Sequence, residues 1–421
     1  MSGSRHRLEA YLDKVFDFSR LRAALPEGRQ YPQHSWAKIF DAVFLGAVCQ
    51  FSSLHRLENE CREGVLRNRI GALSEDTIRY ALQQQSEAPL FTLTCELARR
   101  LKRNGVLRSD WARSLVVAAA DGIEICSSFV RCCDACLERT VQHKVGEQLR
   151  EDIQYYHRLS VVTIVSAAFP VPLGLRFQLP GEDEVSCTLA LVKELVNQLG
   201  RRFLDVLVAD ALYLRTPFVQ SMEGLGLDWV INLKENQPEL LAEARRTTSR
   251  EADDQQSGDP EHFRLWHESE LYWSAADRSV RVVRTERLQS RQRLPLRPSQ
   301  TPVPQGKETY FIESTNFYAS NFALGAIPPF FIHQLGRSRW RIDTEVFQTM
   351  TVDSHLKKPS VHQHHKQAFV VLTMIRLLAY LLTMVFYHRQ VRSHLRRASY
   401  GYCELAQRLA YLFLTPRLDS G

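Results

Sequence analysis

The spacing of apolar residues changes along the chain. Up to about residue 113 they fall in helical runs such as Ala42-Val43-Phe44-Leu45-Gly46-Ala47-Val48 and Ala88-Pro89-Leu90-Phe91-Thr92-Leu93-Thr94, without strand-like alternation. This predicts a helical N-terminal domain. Ser74, followed by Glu75 and Asp76, reads as an N-cap with acids in the first turn, so a helix starts there. Gly71 and the basic Arg62, Arg67 and Arg69 leave a helix-turn-helix open, although an ordinary capped helix in a bundle explains the same residues.

From Leu115 the pattern is that of strands. Leu115 to Ala120 is an apolar run that ends at Asp121, and Gly122-Ile123-Glu124-Ile125 continues with period two. Two further strands are predicted over Leu159 to Ser166 and Leu173 to Leu179, with Pro170 and Pro172 marking the turn between them. Glu184 to Leu199 carries Leu189, Leu191, Val192, Leu195, Val196 and Leu199 on one helical stripe. Leu204 to Ala209 is a buried-type strand stopping at Asp210, a helix opens at Pro217, and Trp229 to Leu233 forms the next strand. That order argues for a mixed sheet covered by helices.

Beyond residue 235 the alternation of Phe263, Leu265, Leu271, Tyr272, Trp273, Val280, Val282 and Val283 predicts short antiparallel strands, followed by an Arg, Gln and Pro-rich surface loop over Arg287 to Lys307. From Phe322 onward the pattern is helical, and no internal repeat is present. Ala368 to Phe386 approaches the length of a membrane span, but Arg376 sits near its middle, where a charge costs about 2.5–3.5 kcal/mol. A buried core helix, with no membrane partner, is the reading adopted.

Composition narrows the class. In 421 residues, 44% are hydrophobic and 24% charged, which excludes wholesale disorder, collagen-like repeats and a polytopic membrane protein. The net charge of +7 permits a polyanionic partner without demanding one. Nine cysteines are an odd number over a long chain, and Met1 to Arg7 lack the apolar stretch of a secretory signal. A reduced, cytoplasmic protein is therefore expected.

Asp121 and Asp210 close apolar strands, where a charge is expensive unless it is paired or binds a cation. If the two strands are neighbours, both carboxylates reach one crevice and make a site of hard oxygen ligands suited to magnesium or manganese. Capping of the following turn is the alternative. A third acid is offered by Ser338-Arg339-Trp340-Arg341-Ile342-Asp343-Thr344-Glu345-Val346-Phe347. On an α-helix, Arg339 and Asp343 share a face, whereas Glu345 lies roughly 200° around from Asp343.

Taken together, Asp121-Gly122, Val208-Ala209-Asp210-Ala211-Leu212-Tyr213 and Arg339-Trp340-Arg341-Ile342-Asp343 make the chain resemble a bacterial insertion-sequence transposase of the DDE class over roughly residues 113 to 385. The family's third motif runs Tyr, two residues, Arg, three residues, Glu, six residues, Lys; with Arg339 as its Arg, Gly336 takes the Tyr place, Asp343 the Glu place and Met350 the Lys place. A second register, with Arg341 as the Arg, makes Glu345 the acid; Asp343 is favoured.

The resemblance implies an α/β fold with a ribonuclease H-like mixed-sheet core and a β-rich insert before the third acid. Its parts are a helical DNA-binding region over 1–113, the first part of the core over 114–234, the insertion over 235–321, and a helical completion over 322–421. It also implies two Mg2+ or Mn2+ ions held by Asp121, Asp210 and Asp343 or Glu345, and DNA contacts at Tyr213, Lys234, Arg339 and Arg341. The partners would be double-stranded DNA, at element ends and target, and a second copy in a dimer on that DNA, in the cytoplasm at the nucleoid.

Two motifs stand outside that picture. Cys133 and Cys136 form a Cys-x-x-Cys pair next to Cys132, with His143 and His157 downstream. The absence of a second such pair or of a His pair at the usual spacing argues against zinc. His355, His362, His364 and His365 cluster around Lys357, Lys358 and Lys366, ahead of Arg389, Arg392, Arg396 and Arg397. This is a basic surface facing phosphates or a solvated helix face.

Overall fold

Serines set the starts of three of the helices that open the chain. The helices are α1 (Leu8–Phe16), α2 (Phe18–Ala23), α3 (Trp36–Val48), α4 (Leu54–Arg62), α5 (Glu75–Gln84) and α6 (Ala88–Arg103). The side chains of Ser35, Ser53 and Ser74 accept hydrogen bonds from the N–H groups of Lys38, Arg56 and Thr77, satisfying one orphan donor at each helix end. The structure, a computed structural model, describes residues 8–145, 148–258, 261–290, 310–358, 366–390 and 402–414. Two units are present, one of residues 1–203 and 340–421, the other of residues 204–339.

In the first unit β1 (Val117–Ser128), β2 (Leu137–Val145), β3 (Gln148–Ile164) and β4 (Val171–Phe177) follow. The long β3 is central. Its second half pairs antiparallel with β1 and β4, and its first half pairs with β2. Helix α7 (Glu184–Leu199), capped by Asp183, packs on β1, β3 and β4, and Thr188 reaches through to hydrogen-bond Ser160 at 2.8 Å.

The second unit carries β5 (Val206–Ala209), α8 (Thr216–Gly224), β6 (Asp228–Asn232), α9 (Pro238–Thr247), β7 (Asp254–Gly258), β8 (Glu261–Trp273), β9 (Arg278–Ser290), β10 (Tyr310–Ser320) and α10 (Pro329–Ser338). Its strands run in the order β5-β6-β10-β9-β8-β7. Strands β5 and β6 are parallel and the remaining pairs antiparallel. All four residues of β5 are buried, as a doubly covered strand requires.

The chain then supplies a helical segment, Ile342–Phe347, running into α11 (Gln348–Val352), then α12 (Lys366–Gln390) and α13 (Tyr402–Leu414). Helix α12 packs against α1, α3, α5, α6 and β4, and 94% of its most apolar window is buried. It is long and apolar enough to cross a membrane, yet it is the core helix of this unit. Each fully buried Leu or Phe on it contributes about 1.5–3 kcal/mol. Arg376 lies at its centre, 6% exposed, donating weakly to the His355 carbonyl at 3.5 Å; burial pulls its guanidinium down to about 10, so it stays charged at neutral pH.

The fold class is the α/β mixed sheet with helical ends that the sequence predicts, and β1, β3, β4, α7, β5, α8 and β6 follow one another as expected of a ribonuclease H-like core. Three details differ. Strand β2 and the first half of β3 were not predicted, because this ribbon is polar on both faces and leaves Leu149 and Ile153 exposed, so no apolar period marks it. Strand β1 does not end at Asp121 but runs to Ser128, with Asp121 paired opposite Val161. Arg287 to Ser290 belong to β9, and residues 291–307 of the predicted loop lie outside the described residues.

Gly336 of α10 shows how tightly the second unit is packed. A Cβ there would clash with the ring of Tyr318 on β10, which is itself buried. Gly336→Ala should therefore destabilise the protein by about 1–3 kcal/mol, seen as a lowered denaturation midpoint. Tyr318→Leu in the same background should recover part of the loss.

Candidate active site

Asp210 leaves β5 directly into a single 3-10 turn, Ala211–Tyr213, that it caps. The Ala211 N–H donates to its Oδ1 at 2.7 Å. The same oxygen receives the Lys234 ammonium at 3.0 Å and the Asn232 amide at 3.4 Å, both from the end of β6. Its Oδ2 takes no hydrogen bond from the described residues, on a side chain that is 36% exposed. Burial pushes the carboxyl up, but the Ala211 N–H, the Lys234 ammonium and the more distant Arg339 charge outweigh it and hold it below the usual carboxylate range. Asp210 is thus ionised at neutral pH with one oxygen committed and one open. Capping of the turn therefore occupies only one of the two oxygens.

Around it the loop after β6 is braced back onto the turn: Asn236 donates to the Ala211 carbonyl at 2.7 Å and Gln237 to the Leu214 carbonyl at 2.8 Å. Asn232, Asn236 and Gln237 carried no signal in the sequence, since polar residues after a strand read as an ordinary turn. A cavity of about 610 Å3 opens beside Lys234, bounded by Arg245, Arg284, Asn316 and Phe317 among others. Tyr213, expected at DNA, is instead fully buried with its ring 5.3 Å from that of Phe218. Arg339 is also buried, at 6% exposure, and ends α10.

In the first unit, Asp121 repeats the pattern. The Gly122 N–H donates to its Oδ1 at 2.8 Å. On the opposite face of the strand the Glu184 carboxylate, held by Arg158 at 2.8 Å, lies where a side chain at position 122 would stand, 2.6 Å from a built Cβ. Glycine after Asp121 is thus dictated by this close approach rather than by the backbone angle.

The segment bearing Asp343 and Glu345 packs against β1 but is not α-helical. Ile342–Phe347 winds as a π-helix, with the Gln348 N–H donating to the Asp343 carbonyl five residues back. The α-helical angle expected between the two acids does not apply to it. Glu345 is engaged bidentately by Arg341, at 2.6 and 3.0 Å. The remaining Arg341 donors reach the carbonyls of Val165, Ala167 (2.7 Å) and Ala168 (3.3 Å) after β3. All five guanidinium N–H groups are spent inside the unit, so Arg341, also expected at DNA, is an anchor. Asp343 is half-buried on the same segment. The Tyr380 hydroxyl of α12 donates to the Glu345 carbonyl at 3.0 Å, securing the segment from beneath.

The fold also gathers Cys133, Cys136 and His157, with ligand atoms all within 4.8 Å of one another. The sequence argued against zinc because it offered no second pair in the usual spacing; the third member comes from β3, brought beside the first two by strand pairing. The side chain of His143 lies outside the described residues. So do His362, His364, His365, Arg392, Arg396 and Arg397 of the basic tract.

Residues 127–382 match the transposase DDE domain family. That span is more than half of the chain, and the protein belongs to this family of transposases. It takes in Asp210, Asp343 and Glu345 and begins after Asp121. Among solved structures, the chain is similar to piggyBac transposase in a synaptic complex with hairpin DNA, at 10% identity and a TM-score of 0.46, covering 100% of this chain and 84% of that one. No curated protein matches it.

Lys234 shares with the Ala211 N–H the task of keeping Asp210 ionised. Replacing Lys234 with Met should raise the Asp210 pKa toward that of an ordinary aspartate. Because the native carboxyl is depressed, it contributes stability above the unfolded-state pKa that is lost as pH falls through the folded value. The variant should therefore lose stability at neutral pH relative to the parent and differ least from it in strong acid. A carboxyl 13C titration in which Asp210 does not move would show that some other group sets its charge.

Proposed function

We propose that the protein is a DNA transposase that cuts and joins DNA ends at a carboxylate site made of Asp121, Asp210 and Asp343. The observation that carries this reading is Asp210: an ionised carboxylate with Oδ1 fixed by a backbone N–H and Oδ2 open, in a chain of the DDE family. An open anionic oxygen on a rigid turn suits a hard divalent cation, magnesium or manganese, better than a soft one. Asp121, Asp210 and Asp343 would hold two such ions, which would supply positive charge to the attacking and leaving oxygens of an in-line displacement at phosphorus.

The chain's own residues supply the rest. Asp121 and Asp210 each spend one oxygen on the following N–H, which sets the carboxylate plane before any ligand arrives. Lys234, 60% exposed beside Asp210, offers its ammonium to a DNA phosphate as well as to the carboxylate. Arg341 and Glu345 hold the π-helical segment to the carbonyls after β3 and so fix the backbone that carries Asp343. Glu345 is committed to that clamp, which favours Asp343 as the third acid.

The substrate in this reading is double-stranded DNA, first hydrolysed at the element ends and then joined through its 3′-hydroxyl to a target. Two ends brought together call for two copies of the chain on DNA, acting in the cytoplasm at the nucleoid, with residues 1–113 assigned to end binding. The +7 net charge accords with such a partner.

Incubation of the purified protein with a supercoiled donor plasmid and Mn2+ tests the reading. The parent should give joined products. Asp210→Asn and Asp343→Asn should each lose about a hundredfold or more, the loss expected when several kcal/mol of charge stabilisation is removed. Glu345→Gln should lose less, through a loosened segment. Joining at the parental rate by Asp210→Asn would refute the site. Nicks without joining would reduce the activity to that of a nuclease, and binding without cleavage to that of a DNA-binding protein.

A further inference from the structure

Apart from the carboxylates, the described residues hold one compact set of soft ligands. The Cys133 and Cys136 sulfurs are 3.7 Å apart, and the His157 Nε2 lies 3.4 Å from the first and 3.5 Å from the second. A tetrahedral zinc ion with Zn–S of about 2.3 Å and Zn–N of about 2.0–2.1 Å places two sulfurs about 3.8 Å apart and sulfur and nitrogen about 3.6 Å apart. All three observed separations match the edges of that tetrahedron. The His157 ring is 1% exposed and held between Phe177 and Phe369, with centroids 5.8 and 5.3 Å away, so its orientation is set before a metal binds.

A fourth thiol stands next to the set. Cys126 sits in the β-bulge of β1 between Ile125 and Ser128, where the register with β3 shifts, and its φ is 55°. A non-glycine residue in this region costs about 1–3 kcal/mol and persists where the surroundings impose it. The bulge departs from strand alternation, so Cys126 is not bound to the face opposite Ile125 and its cross-strand neighbour His157. Cys126 is buried and follows Ile125, the residue paired with His157 across the strands. Its sulfur lies outside the 4.8 Å set of the other three, so it reaches the fourth corner of the tetrahedron only after a side-chain rotation.

We propose that Cys126, Cys133, Cys136 and His157 bind one structural zinc ion through three thiolates and the His157 Nε2. The formal charge of such a centre is −1, and the buried Arg376 guanidinium beside Cys126 supplies the compensating positive charge. This gives that arginine, which among the described residues donates to the His355 carbonyl at 3.5 Å, a reason to be inside an apolar helix. Binding releases three thiol protons, so zinc is retained less well as pH falls. The ion ties the connection between β1 and β2 to β3 and braces the strand that carries Asp121.

The test uses the full-length protein purified under reducing conditions without added metal. Elemental analysis should find about one zinc per chain, and a chelator should lower the denaturation midpoint. Replacement with Co2+ should give the visible spectrum of a tetrahedral thiolate site, a readout that needs no variant to fold. Cys133→Ser, His157→Ala and Cys126→Ser should each lower zinc affinity at least about tenfold, whereas Cys132→Ser should keep it. A zinc-free protein with no tetrahedral Co2+ spectrum, or a Cys133 to Cys136 disulfide found by mass spectrometry, would overturn the site. Unchanged zinc affinity in Cys126→Ser would overturn the fourth ligand.

Discussion

The burial of α12 is the constraint on which the first unit depends. A 25-residue helix with apolar side chains on all faces is stable in water only if everything around it is protein. The opening helices α1, α3, α5 and α6, some three hundred residues earlier in the chain, and strand β4 provide that cover. Because α12 is enclosed, its side chains can serve as reference points for the chemistry. Phe369 positions the ring of His157, and Tyr380 holds the backbone at Glu345. Arg376, the one charged residue between Lys366 and Arg389 at its ends, lies on the inside as well, and such a charge has to be answered by something nearby.

The carboxylates follow a second logic, in which one side chain has two tasks that do not compete. A carboxylate has two oxygens, and an adjacent backbone N–H occupies only one of them. At Asp210, Oδ1 gathers the N–H, the lysine and the asparagine, and so fixes the rotamer and keeps the group ionised, while Oδ2 takes no hydrogen bond from the described residues. Asp121 spends an oxygen in the same manner, on Gly122.

The third-motif segment shows how charge and backbone geometry share one purpose. A π-helical turn widens the helix and spoils regular i to i−4 bonding, so it persists only where other contacts hold it. Arg341 supplies these, with every donor placed on a carboxylate or on a carbonyl beyond β3. An arginine pair next to a catalytic motif looks from sequence like two phosphate contacts. One of the two is here a rivet, and the other is a buried residue at the end of α10.

Local chemistry is what the chain's residues decide by themselves: the serine-capped helix starts, the fully apolar β5, the Asp-Gly and Ala-Asp-Ala pairs, and the family to which these motifs belong. Each is a relation between near neighbours, where spacing translates directly into which face a side chain takes. The polar ribbon of β2 and β3 left no such trace, because strands wet on both sides have no apolar period. Whether Tyr213 faces solvent or core, whether Arg341 meets DNA or carbonyls, and which residue joins Cys133 and Cys136 depended on contacts across 5, 174 and 21 residues. The first turns on which side of a short helical turn is covered. The other two are set by strand pairing and helix packing, which bring together groups that no local rule relates.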